Sequence, residues 1–233
     1  MNLKVLYEDA QILVVEKPPK IPSQRDKTGD KDMLTYVSEY LQEKYPNAKS
    51  PYVGLIQRLD RPVGGVMVFA KTKVANQKLS KQIQEKEIEK VYYGVVCGVP
   101  DKNNEVLVDF LLKQGKINMS KVVPKGTTNA KEAILEYDLL ETLDTPEYGV
   151  LSLLKINLKT GRHHQIRVQL SNAQLPLWGD TKYNKAFTKQ KEWTQIALWA
   201  KSLRLGHPIK NKSLTFHSSP KDHYPFTLFA KIR

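Results

Sequence analysis

Arginine is scarce in this chain, and its positions are therefore informative. Of 37 basic residues only seven are Arg, at 25, 58, 61, 162, 167, 204 and 233. Lysine supplies the bulk positive charge, so a planar guanidinium fork marks places where a carboxylate or phosphate is gripped in a fixed plane. Four of the seven fall in two short windows, Gln57-Arg58-Leu59-Asp60-Arg61 and Gly161-Arg162-His163-His164-Gln165-Ile166-Arg167. The first window sets one carboxylate, Asp60, between two guanidinium groups. Nearby positive charge favours the ionised carboxylate, which serves as a general base or a nucleophile. The bland reading of an isolated Arg-Leu-Asp-Arg string is a surface ion pair of little consequence. Gly64-Gly65 and an apolar run follow, so Asp60 is expected on a tight connection at a strand edge, where catalytic groups are often presented. Arg58 and Arg167 read as alternating positions of extended segments, each able to face a cleft and hold Asp60 ionised. His163 and His164 suggest a second chemistry, acid–base cleavage of RNA. As neighbours on a strand they would point to opposite faces, which argues against a shared site.

The composition narrows the substrate. Lys and Arg total 37 against 24 Asp and Glu, a net charge of +13, with 40% hydrophobic residues in 233. Such a chain is too apolar to be disordered and basic enough to expect a polyanion, whether RNA, DNA or an anionic surface. The plainer alternative is a basic surface that only aids solubility. The single cysteine, Cys97, excludes internal disulfides and Cys-rich zinc sites, including the CxxC of zinc-dependent nucleic-acid deaminases. None of the five His has HExxH spacing, and no metal is expected. The first twenty residues carry acids inside their apolar run and read as strand, not as a signal peptide. No apolar stretch approaches the ~18 residues of a membrane span. A soluble, cytoplasmic protein without a membrane partner is expected, with a monomer as the default state.

The elements that must position these groups are legible from periodicity. Residues 3–16 read as a hairpin around Glu8-Asp9-Ala10-Gln11, and Lys17-Pro18-Pro19 breaks regular structure. Leu34, Val37 and Leu41 mark a short helix over 33–44 with Asp32 as N-cap. Residues 52–57 and 65–70 read as strands flanking the Asp60 window. A helix over 72–89 is capped by Thr72, with Ala75, Leu79 and Ile83 on its apolar face. Residues 91–97 form a buried-type strand, 105–170 are strand-rich, 175–192 are loop with a little helix, and 195–205 and 225–232 are late strands. Without regular βα alternation the fold class is α+β with a mainly antiparallel, mixed sheet flanked by helices. One domain over 1–233 is expected, with a sheet that can split into two lobes.

Four ordered blocks carry a resemblance. Gln57-Arg58-Leu59-Asp60-Arg61-Pro62-Val63-Gly64-Gly65 running through Thr72 resembles the HRLDxxTSGLLLFAKT signature of the RluA-type pseudouridine synthases. Lys90-Val91-Tyr92 resembles their KxY segment, Thr160 to Arg167 their TGRTHQIR, and Leu175 to Tyr183 their PIxGDxxY block. The opening strand pair and Lys-Pro turn are similar as well, so the likeness covers nearly the whole chain. It implies a pseudouridine synthase catalytic fold with a central RNA-binding cleft, and no cofactor. It implies Asp60 as the essential carboxylate, Tyr92 as the ring against the target base, Arg167 as the ion-pair partner of Asp60, and Arg58 as a group that opens the RNA. Tyr93 competes with Tyr92 but should face the other side of the strand. Gln57 stands for the family's His, Pro62-Val63-Gly64-Gly65 for its Thr-Ser-Gly turn, His163 for Thr, and Trp199 for a common His. These departures bear on which RNA is bound, not on the reaction.

The implied reaction breaks N1–C1′ of a uridine, turns the base and bonds C5 to C1′. Nothing is oxidised, reduced or added, in keeping with the lack of a Gly-rich phosphate loop. One carboxylate serves two routes: attack at C1′ or removal of the C2′ proton to a glycal. The resemblance favours the glycal. The base must be extruded, at a cost of a few kcal/mol. Arg58, Arg61, Arg162, His164, Lys182, Lys185 and Lys189 are expected to touch RNA, rRNA or tRNA, together with Lys191. Lys71, Lys73, Lys78, Lys81 and Lys86, on or beside the long helix, read either as phosphate contacts or as a solvated helix face balanced by Glu85, Glu87 and Glu89. A catalytically inert RNA-binding or assembly factor of the same fold is the alternative.

Overall fold

Asp32 and Thr72 each stand one residue before a helix, and each side chain accepts a hydrogen bond from the backbone N–H three residues on. Such a cap is worth about 1 kcal/mol. In the computed structural model, which describes residues 3–47, 50–190 and 192–232, the helices that follow are α1 (Met33–Lys44) and α2 (Lys73–Gln84). The buried face of α1 is Met33, Val37 and Leu41, not one led by Leu34. Helix α2 ends earlier than its pattern suggests, because Lys86 turns into the left-handed region at φ 61°.

The strands are β1 (Lys4–Glu8), β2 (Ile12–Lys17), β3 (Gly54–Leu55), β4 (Gly64–Ala70), β5 (Glu89–Cys97), β6 (Asn104–Gln114), β7 (Met119–Val123), β8 (Lys131–Thr145), β9 (Gly149–Leu158), β10 (Leu198–Gly206) and β11 (Ser213–His217). Helix α3 is Gln165–Asn172. Contacts gather the chain into two compact units, Met1–Lys90 with Ala200–Ser218 and Val91–Trp199 with Ser219–Arg233.

In the first unit the strand order is β1-β2-β4-β10, with β3 on β4 and β11 on β10. The pairs β1–β2, β2–β4, β3–β4 and β10–β11 are antiparallel. Every residue of β4 is buried, as expected of a strand covered on both faces. Its core joins Ile12, Val14, Val66, Val68, Leu203 and Leu205 to Leu79 of α2. Gly65 is required here: its φ is +118°, and a Cβ would lie 2.3 Å from the carbonyl oxygen of Ala200.

In the second unit the order is β5-β9-β8-β6-β7, and the pairs β5–β9, β8–β9, β6–β8 and β6–β7 are antiparallel. Its core gathers Val95, Leu151, Leu153, Trp178, Phe187 and Trp199. Three expectations are corrected. Residues 225–232 are not strand but two 3₁₀ turns, Phe226–Leu228 and Ala230–Ile232. Their period of three stacks Phe226, Phe229 and Ile232 on one face, and all three join that core. Residues 52–57 keep only the two-residue β3. The segment around Arg167 is the helix α3, not extended chain. Among the described residues no helix is long and apolar enough to cross a membrane, and no group of three or more His, Cys, Asp or Glu is placed to hold a metal ion.

Candidate active site

Asp60 lies in a loop made rigid from both sides. One residue before it, Leu59 is gripped by the buried Ser23, whose Oγ accepts from Leu59 N–H (3.0 Å) and donates to Leu59 C=O (2.7 Å). One residue after it, the Arg61 carbonyl accepts from Lys17 Nζ (3.1 Å). The same ammonium donates to the carbonyls of Pro18 (2.9 Å) and Ile21 (2.6 Å). Three N–H donors thus meet three oxygens and tie the Lys-Pro-Pro turn to the Asp60 loop. Lys17 is wholly buried. Burial pushes its amine down to about 7, the negative charge of Asp60 pulls it up, and Arg61 pushes it down. The turn closes with Val63 N–H donating to Asp60 C=O at 3.0 Å, and β4 starts at once. Gln57, standing for a family His, anchors its amide on Val66 C=O (3.1 Å). Arg61, expected to touch RNA, is engaged by carboxylates: Nη1 donates to Asp30 (2.6 Å) and Nη2 to Asp26 (3.1 Å). Its side chain straps the polar 26–30 loop. Arg58 is exposed.

In the second unit Tyr92 is buried on β5, opposite Ile156 of β9. Tyr93 falls on the other face and packs against the core of Val95 and Trp199. This is the separation that strand alternation demands. Burial raises the Tyr93 phenol above its ordinary range.

Arg167 is held by its own side chain. Nε donates to Asp180 Oδ2 (2.8 Å) and Nη2 to Asp180 Oδ1 (2.7 Å). This fork is nearly closed to water, with the side chains 5% and 0% exposed. Asp180 Oδ1 also accepts from the backbone N–H of Lys182 and Tyr183, and the guanidinium lies 5.3 Å from the centre of the Tyr183 ring. Helix α3, which carries Arg167, is buried over Gln165–Leu170. Its polar residues are satisfied inside. Gln165 accepts from Thr160 Oγ1 and Arg162 N–H and donates to Ile134 C=O and Gln169. Gln169 donates to Asp109 and to backbone carbonyls of β6 and β8.

The two histidines do not lie on a strand. His164 takes the left-handed conformation (φ 53°) before α3, and its ring stacks on that of His163 at 3.8 Å. His163 bonds Ser120 Oγ (2.9 Å) and Asn118 Oδ1 (3.0 Å), and the buried His164 bonds the Tyr183 hydroxyl (2.9 Å). Both imidazoles are thus built into hydrogen-bonded structure. Among the other expected RNA contacts, Arg162 Nε donates to Glu132 C=O (2.8 Å) and Lys182 Nζ to Asn118 C=O (2.7 Å). Lys185 and Lys189 are exposed, while Lys191 and Arg233 lie outside the described residues.

Sequence reading left Asp180, Ser23, Lys17 and the Gln165–Gln169 pair without roles. Asp180 had a signal: a buried fork needs a carboxylate, and the Gly-Asp of the fourth block supplies one. Ser23 had none, because its partner Leu59 is remote in sequence.

A family model described as RNA pseudouridylate synthase matches residues 11–172. The ribosomal large subunit pseudouridine synthase D of Vibrio cholerae serotype O1 is 30% identical over 245 residues, covering 98% of this chain and 71% of that protein. The tRNA pseudouridine synthase C of Vibrio parahaemolyticus is 28% identical over 246 residues, covering 98% and 96%. Among solved structures, human RNA pseudouridylate synthase domain containing 1 shares the fold with a TM-score of 0.75 at 20% identity, covering 94% of this chain and 84% of that one.

Proposed function

The chain belongs to the RNA pseudouridylate synthase family and is an isomerase of that kind; from this premise we propose that it converts specific uridines of a structured rRNA or tRNA to pseudouridine, with Asp60, Tyr92 and Arg167 as its catalytic set. Residues 1–233 work as one catalytic domain, without cofactor or metal, as a monomer in the cytoplasm. The observation that carries the site assignment is the clamping of Asp60. Ser23 and Lys17 fix the backbone on either side of it. A carboxylate on a loop so held is presented in one place, as a general base must be.

Asp60 removes the C2′ proton of the target nucleotide. N1–C1′ breaks with its electron pair going to the uracil, and a glycal remains on the sugar. The uracil turns, C5 bonds to C1′ as the proton returns to C2′, and the C5 proton leaves while N1 takes one up. The Tyr92 ring stacks on the extruded base and keeps it from escaping, a contact worth about 1–3 kcal/mol. Arg167 is the cation of the set. The exposed Arg58, Lys185 and Lys189 make the RNA contacts, whereas Arg61, Arg162, His164 and Lys182 hold the loops beside them in place.

The test is uridine-containing rRNA and tRNA transcripts incubated with the protein alone, then mapped for pseudouridine by carbodiimide adduct and primer extension. Modified positions on uncut RNA are expected, with no product from Asp60→Asn. Turnover near wild type in Asp60→Asn refutes the role of Asp60. Binding without any conversion by the wild type makes the chain an inert RNA-binding factor, and strand scission makes it a nuclease.

A further inference from the structure

The second unit holds a cavity that the proposed reaction does not use. Its volume is about 660 Å³, within the range of small-molecule sites. Six rings line it: Tyr148, Trp178, Phe187, Trp193, His223 and Tyr224. Trp178 meets Tyr148 and Phe187 edge-to-face at 5.3 and 5.1 Å, and Tyr148 stacks on Phe187 at 6.1 Å. At the mouth, Trp193 and Tyr224 are 49% and 44% exposed, a costly way to leave large rings unless something covers them. The charged side chains of the wall are the carboxylates Glu192 and Asp222. Two wall residues also bury N–H donors that have no acceptor among the described residues, Trp178 Nε1 and Gln195 Nε2.

We infer that this cavity takes one unstacked guanine of the RNA substrate, outside the reacting uridine. Flat rings offer stacking surface to a base. A carboxylate accepts from two neighbouring donors, and guanine presents N1–H and N2–H side by side on its Watson–Crick edge. An organic cation also suits rings and carboxylates. The wall segment carries Lys185 and Lys189 beside Phe187 and Gln190. Those charges repel a cation and attract the phosphates flanking a base.

The inference rests on RNA being the substrate, and its test is separable from isomerisation because the probes contain no uridine. Fluorescein-labelled CCGCC, CCACC and CCCCC are titrated with the full chain and followed by anisotropy. CCGCC is expected to bind at least ten-fold more tightly than CCCCC. Trp193→Ala should weaken CCGCC by about five- to 150-fold, equivalent to about 1–3 kcal/mol of stacking. Glu192→Gln and Asp222→Asn together should bring CCGCC to the level of CCACC. This second variant preserves shape and keeps the test decisive if Trp193→Ala misfolds. Equal affinity for the three probes, or no loss in the variants, overturns the inference, even where the wild type still forms pseudouridine. Trp193-dependent quenching by choline without guanine preference also overturns it, in favour of a cation cage.

Discussion

The Asp60 turn and the Arg167 helix solve the same problem by opposite means. Asp60 is placed through its neighbours' backbone: Ser23 holds Leu59 and Lys17 holds the Arg61 carbonyl. Arg167 is placed through its own guanidinium, locked in a fork on Asp180. The clamps fix the loop on either side of Asp60 through backbone groups. The fork makes position and charge of the arginine inseparable. Removing the Asp60 charge should therefore spare the structure, whereas removing the Arg167 charge should damage both structure and activity.

The largest expected effect is on turnover. Asp60→Asn should lower the rate of pseudouridine formation by about 10²–10⁴-fold or more. RNA affinity by filter binding should stay within a few-fold, because the amide keeps the shape. Arg167→Leu comes next. It leaves Asp180 buried and unpaired, a loss of about 3–5 kcal/mol, read as a lower urea midpoint of tryptophan fluorescence. All three tryptophans, Trp178, Trp193 and Trp199, belong to the same unit as Arg167. Unchanged stability would mean that the fork does not act as drawn. Ser23→Ala strips Leu59 of its side-chain partner on both backbone groups, at about 1–3 kcal/mol. With the turn loosened but the RNA contacts intact, kcat should fall while KM barely moves; an equal rise in KM would argue against a positioning role.

Acid provides a subtler contrast. Burial opposes ionisation of Glu8, but hydrogen bonds from Lys44, Lys71, Tyr40 and Tyr45 outweigh it and lower its pKa to about 2. Asp9 is likewise lowered to about 2, against burial, by Ile12 N–H, Gln11 N–H, His207 and Tyr7. Because both values lie below those of the unfolded chain, this stabilisation is complete above about pH 4.5 and is lost as pH falls toward 2. Hydrogen exchange should show β1 and β2 losing protection over that window; protection that persists at pH 2 would contradict it. The smallest effect is at the exposed Lys189. Lys189→Ala should weaken RNA a few-fold and reduce the salt slope by about one. A loss matching that of Arg167→Leu would erase the distinction between core fork and surface charge.

Much of this was legible because it is local. The caps Asp32 and Thr72 act within three residues, and the β1–β2 hairpin and the faces of Tyr92 and Tyr93 follow from alternation. What was misread lacks local contrast. Helix α3 is buried from Gln165 to Leu170, so no apolar stripe separates it from extended chain, and its entry through left-handed His164 carries no capping side chain. Residues 225–232 are apolar enough for a strand, yet Pro225 and a spacing of three favour 3₁₀ turns once a core exists to receive Phe226, Phe229 and Ile232.

Residue types and their order along the chain were sufficient for the reaction class and for RNA as its substrate, since chemistry is carried by functional groups and their immediate neighbours. Which groups hold them was decided only in three dimensions. The Ser23–Leu59, Lys17–Arg61 and Arg167–Asp180 contacts join positions 36, 44 and 13 residues apart. The same holds for the aromatic cavity, whose walls come from three separate segments. Pairings at such distances form because burial leaves a polar group no water to bond, and only the folded chain determines which partner is within reach.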